Sequence, residues 1–326
     1  MKRLLILVVL AALAWSGYWV FGASQLRQAQ TQWFEDRRAE GWQADYAELS
    51  VRGFPNRFDT TLTDVALADP GTGLAWQAPI FQVPRLSYRP NHLIAVWPDT
   101  QVLATPERRF TIHSDDMRAS LVLRPQDARA LERATLVAET LRIEPERGGA
   151  WALARLNLGA AREPVQAATY RLGLSLDGLA PPDPPERLPQ TLDALRIDAT
   201  VTFDAPWDAA AIAERRPQPR RIDLDTAEAV WGRLVLRAAG RLTVDANGVP
   251  EGAVAIRAEN WRAILDLARE TGALPERLAD NLEAGLSLVA QLSGSPETLD
   301  IPLDFADGHM RLGPIPLGPA PRLVIR

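Results

Sequence analysis

The chain has 326 residues, with hydrophobic types at 47% and charged types at 24%, enough apolar material for one large or two modest packed domains. Basic residues number 36 and acidic residues 41, a net charge of −5 that gives no general attraction to nucleic acid. The absence of cysteine excludes thiol catalysis, disulfides and cysteine-bound zinc, and three histidines are too few for a His-rich metal centre.

Lys2 and Arg3 precede Leu4–Phe21, eighteen residues without a charge. As a helix this run is about 27 Å long, close to the ~30 Å hydrocarbon core of a bilayer. Trp15, Tyr18 and Trp19 cluster at its distal end, where amphipathic rings sit at a lipid–water boundary. Residues 1–23 are therefore expected to be an uncleaved membrane anchor. A cleavable signal peptide would be cut after Ala23, which places bulky Phe21 where a small side chain is needed. Lys2 and Arg3 should stay cytoplasmic, which in a bacterium sends the bulk of the chain to the periplasm as a single-pass inner-membrane protein. Residues 24–41 then predict a juxtamembrane helix, with Leu26, Ala29, Trp33 and Phe34 along one face.

From Ala44 the dominant period is two. Leu172, Leu174 and Leu176 alternate with Arg171, Gly173 and Ser175, and Leu195, Ile197, Ala199, Val201 and Phe203 alternate with polar residues. Leu234, Leu236, Ala238, Leu242 and Val244 share one parity around Gly240, and Val254, Ile256 and Ala258 repeat it. Weaker strand runs fall near 48–52, 58–68, 80–88, 93–103, 119–124, 135–144 and 151–158. Such alternation predicts a mainly β (α+β) fold of long antiparallel, twisted sheet with few helices. Helices are expected at Pro125–Ala134, at Asn260–Thr271 closed by Gly272, and from Pro275 through Leu278, Leu282, Leu286 and Val289 to the Gly294-Ser295-Pro296 stop. The five prolines of residues 181–189 mark a linker between β-rich halves 42–180 and 190–326, the latter holding a helix pair over 260–292; it either divides two sheet layers or joins parts of one sheet.

Chemistry-bearing clusters are sparse. His113-Ser114-Asp115-Asp116 reads as a polar turn rather than a metal or base site, and His92 and His309 as exposed turn residues. Asp223 and Asp225 fall on one strand face about 6.6 Å apart, a spacing open to glycosidic chemistry, but Arg220 and Arg221 beside them favour a solvated face. No nucleophile elbow, phosphate loop or dinucleotide fingerprint appears. No catalytic, cofactor or metal residue is therefore assigned. Among the ten tryptophans, Trp42, Trp97, Trp151 and Trp231 are candidates for the lining of an apolar groove, against the ordinary role of core packing.

Short motifs punctuate the chain: Gly41-Trp42, Val51-Arg52-Gly53-Phe54-Pro55, Trp76-Gln77-Ala78-Pro79, Trp231-Gly232, Gly240, Gly248, Gly252, Asn260-Trp261 and Asp307-Gly308. With the anchor, this pattern resembles the bacterial family called domain of unknown function 2125, and more loosely the AsmA-type envelope proteins. The first resemblance brings no catalytic residues. The second implies inner-membrane anchoring, long sheets with an apolar groove, and phospholipid handling. The expected function is non-catalytic binding of phospholipid or another apolar ligand; the alternative is an envelope scaffold docking a partner protein by a sheet edge or helix pair. Partners are thus the membrane, and phospholipid or an envelope protein, with no nucleic acid and no cofactor.

Overall fold

The computed structural model describes residues 1–184, 188–213, 215–270, 282–287, 290–291 and 297–325. Pro185, Glu186 and Arg187 of the proline-rich run lie outside the described residues, as do Thr271, Gly272, Pro275, Leu278, Val289 and the Gly294-Ser295-Pro296 stop. The chain divides into two compact units, residues 1–123 with 136–150, and residues 124–135 with 151–326.

The first unit opens with α1 (Lys2–Ala39), one unbroken helix of 38 residues. Nothing between Phe21 and Gln25 breaks it, since Gly22 and Ser24 only lower helix propensity and Ala23 favours the helix. It ends where Gly41 takes a φ of 89°, a left-handed conformation glycine adopts without a Cβ clash. Nine strands follow along the chain: β1 (Gln43–Asp45), β2 (Glu48–Arg52), β3 (Arg57–Asp69), β4 (Leu74–Leu86), β5 (His92–Val96), β6 (Thr100–Ala104), β7 (Arg109–His113), β8 (Asp116–Arg124) and β9 (Ala130–Pro145), of which residues 124 and 130–135 count with the second unit. Strand β3 pairs antiparallel with β1, β2 and β4, β6 with β4 and β7, β5 with β8, and β7 with the end of β9. The run 93–103, expected as one strand, is two. Pro98 offers no N–H to a ladder, so β5 and β6 part there: both meet β4, at Gln82 and at Ala75–Gln77, but β5 goes on to pair with β8 and β6 with β7.

The core of this unit gathers under the distal half of α1. Phe34 packs with Ala44, Leu49, Leu62, Val65 and Ala78, flanked by Trp42, Tyr46, Trp76 and Phe81. On β3 the buried parity runs Phe58, Thr60, Leu62, then shifts at Asp64, whose φ of 48° lets Val65 turn inward.

The second unit is a meander, in which each strand pairs antiparallel with the next: β10 (Trp151–Arg162), β11 (Thr169–Ala180), β12 (Leu192–Phe203), β13 (Pro219–Trp231), β14 (Leu234–Val244), β15 (Pro250–Glu259), β16 (Thr298–Ala306), β17 (His309–Leu312) and β18 (Ile315–Pro319). Short α2 (Ala209–Ala213) lies between β12 and β13, and α3 (Trp261–Glu270) between β15 and β16. The proline-rich run joins β11 to β12. The helix expected over Pro125–Ala134 is instead a turn leading into β9. Ala128 and Arg129 take φ of 51° and 61°, and the Ala130 N–H bonds back to the Asp127 carbonyl. Two consecutive left-handed residues cannot continue a right-handed helix.

Candidate functional site

Register in the second unit brings the alternating residues into rows. Leu156, Leu176, Leu195, Ala229, Leu236, Ala258 and Leu299 stand side by side across seven strands. Leu158, Leu174, Ile197, Ala227, Ala238, Ile256 and Ile301 form the next row. Because a strand's side chains alternate strictly, these rows make one continuous apolar face.

Cover over this face is uneven. Toward β15 and β16, α3 lays Trp261 and Leu265 on it, and Leu282, Leu286 and Ala290 join them over Ala258, Leu299 and Ile301. At the far ends of β11–β13, Tyr170, Ala199, Val201 and Phe203 are buried beneath Leu131 and Trp207. Phe203 meets Tyr170 and Trp207 edge-on at 6.0 and 5.6 Å, and the Trp207 N–H donates to the Tyr170 hydroxyl at 3.1 Å. Burial pushes that phenol above its ordinary pKa of 10.0. Between the two covered patches, Leu156, Leu158, Leu174, Leu176, Leu195, Ile197, Ala227, Ala229, Leu236 and Ala238 are all half-buried or exposed. Leu158 keeps 40% and Leu236 38% of its surface in contact with solvent.

The opposite face of the same strands is laced with ion pairs. Arg171 on β11 donates to Asp198 on β12 at 2.9 Å through Nε, Arg221 reaches Asp223 at 2.7 Å with Arg241 on its other oxygen, and Arg237 joins Glu228 and Glu259 at 2.6 and 2.9 Å. Arg171 and Arg221 respectively hold the Asp198 and Asp223 carboxyls below their ordinary value of 3.8. Asp225 sits at a bulge between β13 and its neighbours, so it and Asp223 do not form an evenly spaced pair. A carboxylate pinned as an ion by arginine cannot serve as the proton donor that glycosidic cleavage needs.

The candidate tryptophans fall apart in space. Trp42 packs on the Phe34 cluster and takes the Arg37 guanidinium 5.7 Å from its ring, while Trp97 meets Phe81 at 5.4 Å. Trp151 begins β10 and is exposed. Trp231 shares the parity of Ala227 and Ala229, so of the four it extends the apolar face; its indole N–H donates to the Pro189 carbonyl at 2.7 Å. Beside it a cleft of about 380 Å³ opens between Pro189, the Gly232–Leu234 turn and Ala263 and Leu267 of α3. Among the histidines, His92 differs from expectation: it opens β5 and its Nε2 lies 2.9 Å from the Ser120 hydroxyl. His113 closes β7, Ser114 and Asp115 form the expected turn, and His309 follows its turn as the exposed first residue of β17. Among the described residues no cluster of His, Asp or Glu has metal-binding spacing.

The motif residues serve turns and packing. Gly53-Phe54-Pro55 turns β2 into β3 through a cis bond before Pro55. Trp76, with Pro79 further along β4, donates its indole N–H to Gln101 at 2.6 Å. Gly232 donates its N–H to Asp193, Gly248 lies in the turn built on Asp245, Asp307-Gly308 turns β16 into β17, and Trp261 is buried at the start of α3. At Gly252, paired with Leu242 near Gly240, φ is 134° and a Cβ would lie 2.2 Å from the Arg241 carbonyl oxygen, so only glycine fits.

No curated protein and no solved structure matches this chain. The family described as an uncharacterized protein conserved in bacteria (DUF2125) matches over residues 19–321, and the chain belongs to that family.

Proposed function

We propose that this protein is anchored in the bacterial inner membrane by Leu4–Phe21, holds its sheet on the periplasmic side, and binds acyl chains of phospholipid, or a similarly apolar molecule, on the middle of the β10–β14 face without covalent chemistry. The observation that carries this reading is the ten-residue aliphatic strip that stays half-buried or exposed while both of its flanks are capped. Water contact there costs roughly 25 cal/mol for each Å² of apolar surface, and each acyl CH₂ laid on it gains about 0.8 kcal/mol. The polar face has no such demand, because its charges already satisfy one another. The helix is long and apolar enough to cross a bilayer, and the Lys2-Arg3 flank at its start supports a cytoplasmic N-terminus. Docking by edge pairing has less support: β18 meets β17 through a bulge and carries Pro316 and Pro319, which have no N–H to offer.

Native mass spectrometry of the full chain released from detergent tests the reading. The wild type should retain phospholipid, and Leu174→Asp, which sets a charge in the strip without opening a buried core, should lose it. Equal retention by both would sink the proposal.

A further inference from the structure

The anchor and the first unit are bound together inside the apolar run itself. Trp15, Tyr18, Trp19 and Gly22 form one stripe of α1 at the i, i+3, i+4, i+7 spacing, and this stripe grips two loop tips. The Trp15 indole donates to the Pro55 carbonyl at 2.9 Å, the Trp19 indole to that of Arg57 at 2.7 Å, and the Tyr18 hydroxyl to that of Ser87 at 2.8 Å. The Trp19 ring meets Phe54 at 5.5 Å and Phe58 at 5.8 Å. On the remaining sides of the same helical turns, Val20 and Phe21 are 62% and 66% exposed.

Lengths decide where the membrane boundary falls. If the loops stood clear of the bilayer, only Leu4–Ala14 would remain to cross it, about 16 Å of helix against a ~30 Å hydrocarbon layer. Including Trp15–Phe21 adds about 10 Å and takes the loop tips down with it. The tips suit that depth. Phe54 and Tyr88 project from them with 56% and 58% of their surface uncovered. Three backbone carbonyls that would be costly in lipid are satisfied by donors from the anchor itself. Residues 52–59 and 85–89 carry Arg52, Arg57, Arg85 and Arg89 against the single acid Asp59. Arg57 bonds Asp59 at 3.0 Å, and the Arg85 Nε, buried near the Phe58 ring, has no hydrogen-bond partner among the described residues.

We propose that this end of the first unit is a lipid-surface foot, with Phe54 and Tyr88 inserted at the headgroup–acyl boundary of the leaflet that α1 crosses last, and with the exposed Arg52, Arg57 and Arg89 facing lipid phosphates. The proposal rests on the anchoring reading above. Because the chain has no cysteine, single spin labels report its depth cleanly. Full-length Leu10→Cys, Phe54→Cys, Tyr88→Cys and Val165→Cys proteins, labelled and reconstituted into vesicles of phosphatidylethanolamine and phosphatidylglycerol, would be probed by power-saturation spectroscopy with oxygen and a water-soluble nickel chelate. Oxygen should dominate at positions 10, 54 and 88, and the chelate at the solvent-facing position 165. Chelate access at 54 and 88 equal to that at 165, with oxygen dominating at 10, would overturn the foot and leave the anchor standing. Chelate access at position 10 as well would overturn both. Tyr88→Cys decides the matter if Phe54→Cys fails to fold.

Discussion

Two apolar faces built from the same alternating pattern meet different fates in this molecule. On β3 of the first unit, Leu62 and Val65 are buried because the distal half of α1 lowers Phe34 onto them. On β11 and β12 of the second unit, Leu174 and Ile197 occupy equivalent inward positions, yet both stay only half-buried. Alternation records which way a side chain points. Whether anything covers it depends on elements far along the chain, and that difference separates a core from an open apolar strip.

The sharpest way to break the comparison is a charge on each face. Val65→Asp should leave no folded protein, since an unpaired buried carboxylate costs more than about 4 kcal/mol; thermal denaturation of the full chain in detergent would show it, and a variant unfolding like wild type would remove the distinction. Truncation sharpens the contrast. Leu62→Ala should destabilise by roughly 2–5 kcal/mol through a cavity, and Leu174→Ala by about 1 kcal/mol or less, because its surroundings are already part solvent. Equal losses in chemical denaturation would mean that the strip is an ordinary core. Tyr170→Phe, which removes the acceptor of the Trp207 N–H at the capped end, should cost about 1–2 kcal/mol.

The smallest effect belongs to the polar face. Arg171 lowers the folded-state pKa of Asp198, so the pair's contribution is present above pH 3.8 and is lost as pH falls through the folded value. An exposed pair is worth about 0.2–1 kcal/mol. Asp198→Asn should lower neutral stability by that amount, leave stability in acid unchanged because the carboxyl is protonated there anyway, and so flatten the acid limb. An unaltered acid limb would show that the pair contributes nothing.

Much of this architecture is legible in the residues. The run Leu4–Phe21, the parity of Leu172–Leu176 and Leu195–Phe203, and the turn at Asp307-Gly308 all express local periodicity or turn chemistry, which a sequence displays directly. The misread elements turn on backbone choices that side-chain type only biases. Ala128 and Arg129 adopt left-handed φ although neither is glycine, and Pro98 splits a run whose hydrophobicity continues on both sides. The candidate tryptophans could not be sorted in advance, because a buried and a ligand-facing indole have the same sequence signature. The grip of Trp15, Tyr18 and Trp19 on the Pro55, Arg57 and Ser87 carbonyls was half visible. Their helical spacing is in the sequence, but acceptors some 40 and 70 residues away are not.

The most direct test of the central claim is to map where acyl chains touch the protein. The full chain would be reconstituted with a phospholipid bearing a photoreactive diazirine on its acyl tail, irradiated, and analysed by peptide mass spectrometry. Adducts on β10–β14, at Leu158, Leu174, Ile197 or Leu236 and in addition to those on Leu4–Phe21, are the predicted result. Adducts confined to the anchor and the Phe54 and Tyr88 tips would contradict the account of the sheet.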